Sequence, residues 1–268
     1  MFPADGRPAP LHVVHDPPPE PADWEAVYRE HVTEVYRFVY ARVGNRADAE
    51  DVTSTTFMRA LPHLTSDVLA IADQSGWERF CLAGHDWGAA VAWNVALQSP
   101  QRVSRLMILN VPHPAVMLRH LKRSPSQMIR SWYILFFQLP WLPERILAAN
   151  NFRLLASSLL RTSRRGTFSD EDLRRYRQAW AQPGALRAMI SWYRAAARHQ
   201  PKIKNPLVRV PTKVLWGVHD PFLRFRMAEE SLRYCEKGEL ARFDNCTHWL
   251  QHEAPERVNK LMIGFFRE

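Results

Sequence analysis

The chain has little cysteine, and none of it at metal-ligand spacing. Cys81, Cys235 and Cys246 are its three cysteines among 268 residues. So sparse and odd a count excludes a disulfide framework or a zinc ribbon and fits a reducing cytoplasm. A membrane-length apolar run is also missing: the most apolar stretch, residues 133–142, contains Gln138 and Pro140 and is too short to span a bilayer. The opening MFPADGRPAPLHVVHDPPPEP has no apolar h-region, so no signal peptide is expected. There is no internal repeat. Acidic residues are in deficit, 27 against 36 Lys+Arg, giving a formal charge of +9. The excess is mostly arginine spread along the chain, with clusters at 161–165 and 174–177, and reads as solvated surface. Neither membrane attachment nor direct DNA binding is expected from it. A hydrophobic content of 46% with 11% aromatics is enough for a real core, which excludes disorder as the overall state. The expectation is a soluble cytoplasmic protein with no metal and no cofactor.

Two composition regimes follow one another. Residues 1–22 are dense in proline and aperiodic and read as a disordered tail. Asp23 can cap a helix from Trp24, with apolar residues at Val27, Tyr28, Val32, Val35, Val39 and Val43 and a stop at Gly44. Asn45 can cap a second helix ending near Pro62, which makes a helical hairpin over 23–64. From Ser66 the rhythm is that of an α/β protein. A helix over 67–75 leads to a strand over 78–83, a helix over 89–99 and a strand over 104–111. Residues 114–204 read as helices, rich in Trp, Tyr and Phe. Strand patterns return at 211–217 and 239–244, and a last helix covers 255–266. Alternation of strand and helix implies a parallel sheet. The long helical insertion is sized to cap the strand C-termini, where open α/β sheets bind ligands. The core is therefore expected at 65–113 and 205–268, and the lid at 114–204.

The most informative feature is GHDWGAA, residues 84–90, between the apolar FCLA and the helical VAWNVAL. Strand, tight glycine turn and helix is the context of a nucleophile elbow, here with Asp86 where G-x-S-x-G has serine. A carboxylate there suits covalent attack on an electrophilic carbon. The plainer alternative is a helix N-cap at Asp86. Asp220 follows an apolar strand in LWGVHDPF, and His248 follows the last strand in THWL. Each alone is an ordinary loop residue, Asp220 a turn former before proline. Together they give the chain order nucleophile, acid, histidine of α/β-hydrolases. His219 and His252 are the decoys.

At these residues the chain resembles the epoxide hydrolase branch of the α/β-hydrolases. The resemblance lies in AGHDWGAAVAWNVALQSPQRVSRLMILNVPHPAVM, SWYILFFQLPWLPE, ISWYRAAAR, VPTKVLWGVHDPFL and THWLQHEAPERVN, in register over about residues 65–268. It implies Asp86 as nucleophile, Asp220 as acid and His248 as base, with a small apolar epoxide as substrate. It implies that Tyr133 and Tyr193 hydrogen-bond the epoxide oxygen, although this chain has Ser191 where the family usually has Asn. The backbone N–H of Trp87 would serve the oxyanion hole, and Trp87, Trp132, Phe222 and Trp249 would line the substrate. A haloalkane dehalogenase would use the same nucleophile; the paired tyrosines favour an epoxide.

The family's second oxyanion donor lies in an HGxP segment, which this sequence lacks, and its first four strands should precede residue 65. In their place, WEAVYREHVTEVYRFVYARVGNRADAEDVTSTTFMRALPHL resembles region 2 of an extracytoplasmic-function sigma factor. That implies contact with core RNA polymerase through residues 23–64. The expected fold is an incomplete α/β-hydrolase sheet with a helical lid behind a helical hairpin, its seam at 61–65 and its nucleophile strand at the sheet edge. Three readings stand: a working hydrolase with a replaced N-terminus, a sigma-derived regulator, or an inactive fused gene product.

Overall fold

A computed structural model describes residues 60–198 and 205–268. The expected tail at 1–22 and nearly all of the expected hairpin lie outside these residues. Fifteen elements are described in chain order: α1 Ala60–Gln74, β1 Phe80–His85, α2 Trp87–Gln98, β2 Val103–Leu109, α3 Pro114–Arg123, α4 Pro125–Arg130, α5 Trp132–Phe136, α6 Leu142–Thr162, α7 Asp170–Trp180, α8 Ala185–Arg198, β3 Thr212–Gly217, α9 Arg226–Leu232, β4 Gly238–Phe243, α10 Leu250–Glu253 and α11 Pro255–Arg267.

The four strands run parallel in the order β1-β2-β3-β4, so β1 is an edge among the described residues, as expected. Buried parallel strands carry apolar residues on both faces, and β2 and β3 do so with period two. Leu106, Ile108, Val214 and Trp216 face Ala92, Trp93, Val95 and Ala96 of α2 and Met227 of α9. Met107, Leu109 and Leu215 point the other way, into Phe243, Leu250, Val258 and Phe265 of β4, α10 and α11. The sheet is thus the middle of three layers, held chiefly by burial worth about 1.5–3 kcal/mol per large side chain. At the edge, Cys81 and Ala83 of β1 are exposed.

Two boundaries differ from expectation. The helix expected from residue 67 begins earlier, since α1 runs unbroken from Ala60 to Gln74, and the helix expected before Pro62 lies almost wholly outside the described residues. Leu64, Val68 and Leu69 pack on the α2 side of the core, and Thr65 and Ala72 are buried. The seam at 61–65 therefore lies inside a helix that belongs to the core. β1 also runs two residues later than expected and includes Gly84 and His85. Helices α9 and α10 were not legible beforehand, being short.

Between β2 and β3 lie six helices, α3 to α8, over the span expected to form the lid. α6 is broken at Ala149–Phe152, where Asn150, Asn151 and Phe152 all have positive φ. The break divides the lid's packing into two clusters, one around Leu147, Leu186 and Ile190, the other around Leu159, Phe168, Leu173 and Trp180. Among the described residues no helix is long and apolar enough to cross a membrane. The three cysteines are unpaired.

Candidate active site

Asp86 occupies the corner between β1 and α2 with φ 51° and ψ −127°. A non-glycine residue there costs about 1–3 kcal/mol, held in place by bonds from the Ala89 and Ala90 N–H groups to its carbonyl at 3.0 and 3.2 Å. A Cβ on Gly84 would stand 2.6 Å from the Gly88 carbonyl oxygen, so strand and helix can meet this closely only at glycine. Gly88 carries no such demand; a Cβ there meets nothing within 4 Å. The Asp86 side chain makes no capping bond to α2 and is half exposed at 51%. It occupies the N-cap position of α2 without capping the helix with its side chain.

The loops after β3 and β4 bring Asp220 and His248 together. Gly217, at the end of β3, is what lets them approach: a Cβ there would fall 2.0 Å from the Thr247 carbonyl oxygen. Asp220 Oδ1 accepts from the N–H groups of Phe222 and Leu223 at 2.7 and 2.9 Å, which fixes the carboxylate in its turn. Its Oδ2 lies 2.7 Å from His248 Nδ1. The other imidazole nitrogen, Nε2, lies 3.7 Å from Asp86 Oδ1. Neither decoy joins this group: the His219 backbone bonds the Cys246 carbonyl, and His252 packs on Phe168.

Burial alone would lower the basicity of His248, but the carboxylates of Asp220 and Asp86 outweigh it and its pKa is pushed up to about 10. Partial burial opposes the charge on Asp86, yet the His248 ring, with help from the Trp87 N–H, holds this carboxyl below its usual range. Both shifts favour a charged His248 beside an ionised Asp86. His85 is the reverse case, since burial and the neighbouring His248 push it down to about 4. Neutral, it donates from Nε2 to the His248 carbonyl at 2.8 Å and accepts from Gln251 at Nδ1 at 3.2 Å.

The helices between β2 and β3 set aromatic rings against this arrangement. Tyr133 on α5 and Tyr193 on α8 meet edge to face at 5.6 Å, Tyr193 rests on Trp87 at 5.2 Å, and Phe222 bridges Tyr133 and His248 at 5.9 and 5.3 Å. Burial, with the nearby carboxylate charge, raises both phenols well above their ordinary pKa, so they stay protonated. Two expected substrate-lining residues are placed differently. Trp132 is 63% exposed on the lid surface, because its α5 turns Tyr133 inward and the preceding position outward. Trp249 faces His248 at 5.4 Å but ties the lid down, its Nε1 donating to Thr162 Oγ1 at 3.0 Å. A groove of about 550 Å³ on the lid, lined by Trp141, Arg145 and Leu186 among others, includes none of these residues.

Sequence reasoning missed three supporting residues. His85 was visible only as the middle of GHD. Asn110, expected inside the strand over 104–111, directly follows β2. Arg194, beside Tyr193, is buried and bonds the Phe137 and Leu139 carbonyls and both oxygens of Glu144, which pins α8 to the segment after α5. Among the described residues no group of three metal-ligating side chains occurs.

A family model for the alpha/beta hydrolase fold matches residues 60–255, and one for sigma-70 region 2 matches residues 27–66. The chain is 38% identical over 204 residues to AB hydrolase superfamily protein YfhM of Bacillus subtilis, covering 76% of this chain and 71% of that protein. It is 37% identical over 211 residues to Epoxide hydrolase 4 of Homo sapiens, covering 76% of this chain but 58% of the human protein. Its fold superposes on an epoxide hydrolase from Bacillus megaterium with a TM-score of 0.70, at 24% identity, over 79% of this chain and 78% of the other. With the match covering residues 60–255 and the close relative in Bacillus subtilis, this chain belongs to the α/β-hydrolase family.

Proposed function

We propose that this protein opens epoxides to diols through an ester on Asp86. The core segments, 65–113 and 205–268, supply the carboxylates and imidazole, and the lid, 114–204, supplies the phenols. An Asp86 oxygen attacks an epoxide carbon and the C–O bond of the ring breaks. The released oxygen is stabilised by the Tyr133 and Tyr193 hydroxyls and takes a proton from one of them. Esterification removes the Asp86 charge, so one of the two carboxylates that keep His248 protonated disappears. Its basicity falls, the imidazolium proton replaces the one the tyrosine gave up, and the neutral imidazole, oriented by Asp220, takes a proton from water as it attacks the ester carbonyl. The tetrahedral intermediate expels the diol oxygen, which takes the proton held on His248, and the Asp86 carboxyl then returns its own proton to the imidazole, restoring the starting state. The observation that carries this reading is the imidazole set between two carboxylates, one of them exposed on a strained turn. Phe222 and Trp87 form the apolar wall for the substrate.

The Trp87 N–H is one oxyanion donor, and the segment expected to supply the second is missing from the sequence. Loss of one such donor costs about 10²–10³ in rate. It acts on ester hydrolysis, so Asp86 is alkylated faster than it is released. Intact-mass spectrometry during incubation with styrene oxide tests this: the mass should rise by one styrene oxide and persist. Diol formed without an adduct would rule out the slow second step, and folded protein giving neither adduct nor diol would rule the mechanism out.

A second reading rests on the sigma-70 region 2 match at residues 27–66. It assigns contact with core RNA polymerase to the residues before α1, since α1 itself is packed into the hydrolase core. A pull-down against core polymerase, repeated with residues 1–59 removed, separates it from the enzyme reading.

A further inference from the structure

Asn110 follows β2 immediately, is fully buried, and has φ 51°. Asn tolerates this left-handed backbone better than most residues, but the position is defined by more than backbone. Its side-chain oxygen accepts the Gly217 N–H at 2.8 Å at the end of β3. Its amide nitrogen donates to Asp220 Oδ2 at 2.6 Å and reaches the Thr247 carbonyl at 3.3 Å, beside His248. One side chain thus joins the ends of two strands to both loops that carry the acid and the base.

The Asp220 carboxylate therefore accepts four donors. Two are backbone N–H groups on Oδ1, and the other two, His248 Nδ1 and Asn110 Nδ2, share Oδ2. A neutral amide at that oxygen does two things. It aims the Oδ2 lone pairs, so the imidazole is held with Nε2 toward Asp86. It also draws charge away from the oxygen that stabilises the imidazolium, without adding a cation of its own. Hydrogen bonds to charged groups are worth about 1.5–3 kcal/mol, roughly tenfold or more in an equilibrium.

We infer that Asn110 is the positioning residue of the Asp220–His248 pair, fixing its geometry and tempering the basicity of the imidazole for ester hydrolysis. This rests on the reading above, in which His248 is the base of the second step. The titratable groups facing His248 are Asp86 and His85 from the β1–α2 corner and Asp220 from the loop after β3, with Tyr133 of α5 near the two carboxylates, and all of them are retained in the variants below.

The test compares the full chain with Asn110→Ala and Asn110→Asp. Asn110→Asp keeps an acceptor for Gly217 N–H and tolerates the backbone, but exchanges the amide donor for a carboxylate oxygen. With styrene oxide, adduct decay should slow about tenfold or more in both variants, with adduct formation changed far less, and the pH midpoint of decay should move upward. Normal decay in a folded variant overturns the inference. So does a defect in Asn110→Ala that Asn110→Asp restores, since Asn110 would then only hold Gly217. Where the unsubstituted chain forms neither adduct nor diol, the mechanism has failed on its own. The inference is then read from the proton resonance on His248 Nδ1, which should shift in both variants; an unmoved resonance overturns it.

Discussion

His248 Nε2 stands 3.7 Å from Asp86 Oδ1, beyond hydrogen-bond distance yet close enough for each charge to govern the other. Because the second carboxylate on His248 belongs to Asp86, the residue proposed for attack, the chemistry of the first step would change the proton affinity needed for the second. The relationship separates the two halves of the reaction, and each half can be tested alone.

Asp86→Asn should give no covalent adduct and should lower the pKa of His248. In the folded chain that pKa is raised from 6.5 to about 10, so the stabilisation from imidazolium is fully present below about pH 6.5 and is lost as pH rises through the folded value. The unsubstituted chain should therefore lose urea stability between neutral pH and pH 10 more steeply than Asp86→Asn. Parallel pH profiles would contradict this.

His248→Gln leaves the nucleophile in place and removes the base. Adduct should still form with styrene oxide, but its release should slow by about 10²–10⁴. Mass spectrometry after removal of free epoxide measures the decay.

Tyr133→Phe and Tyr193→Phe each remove one donor to the opening oxygen. Adduct formation should fall by about 10²–10³ for either one, while decay of any adduct formed stays near that of the parent. A loss confined to decay would place the tyrosines elsewhere in the mechanism.

Arg194→Leu strands Glu144 and frees the Phe137 and Leu139 carbonyls that hold the lid. Removing one partner of a buried pair costs about 3–5 kcal/mol. The urea midpoint should fall accordingly, and adduct formation should suffer because Tyr193 is the neighbouring residue on α8.

Much of the site was legible because its parts sit where strands end. GHDWG, HDPF and THWL each follow an apolar run, and their order along the chain carried the grouping. The sheet was readable for the same reason, β2 and β3 being apolar on both faces. What was not readable depends on packing across the chain. Nothing local marks Asn110 as a partner of a residue 110 positions later. The two tryptophans beside catalytic candidates looked alike in sequence, yet Trp132 faces outward and Trp249 bonds the lid. The join between the two composition regimes looked like a boundary, because Pro62 and Thr65 punctuate it. It is instead helical core, since Leu64 and Val68 have α2 to pack on.

The most direct measurement is the fate of solvent oxygen. The full chain is incubated with styrene oxide in H₂¹⁸O, and the peptide containing Asp86 is then weighed. Hydrolysis of an Asp86 ester by attack at its carbonyl leaves ¹⁸O in the carboxylate of the restored enzyme, and this label at Asp86 is the predicted result. Diol formed by folded protein with Asp86 unlabelled would mean that water attacks the epoxide directly, and it would contradict the covalent account.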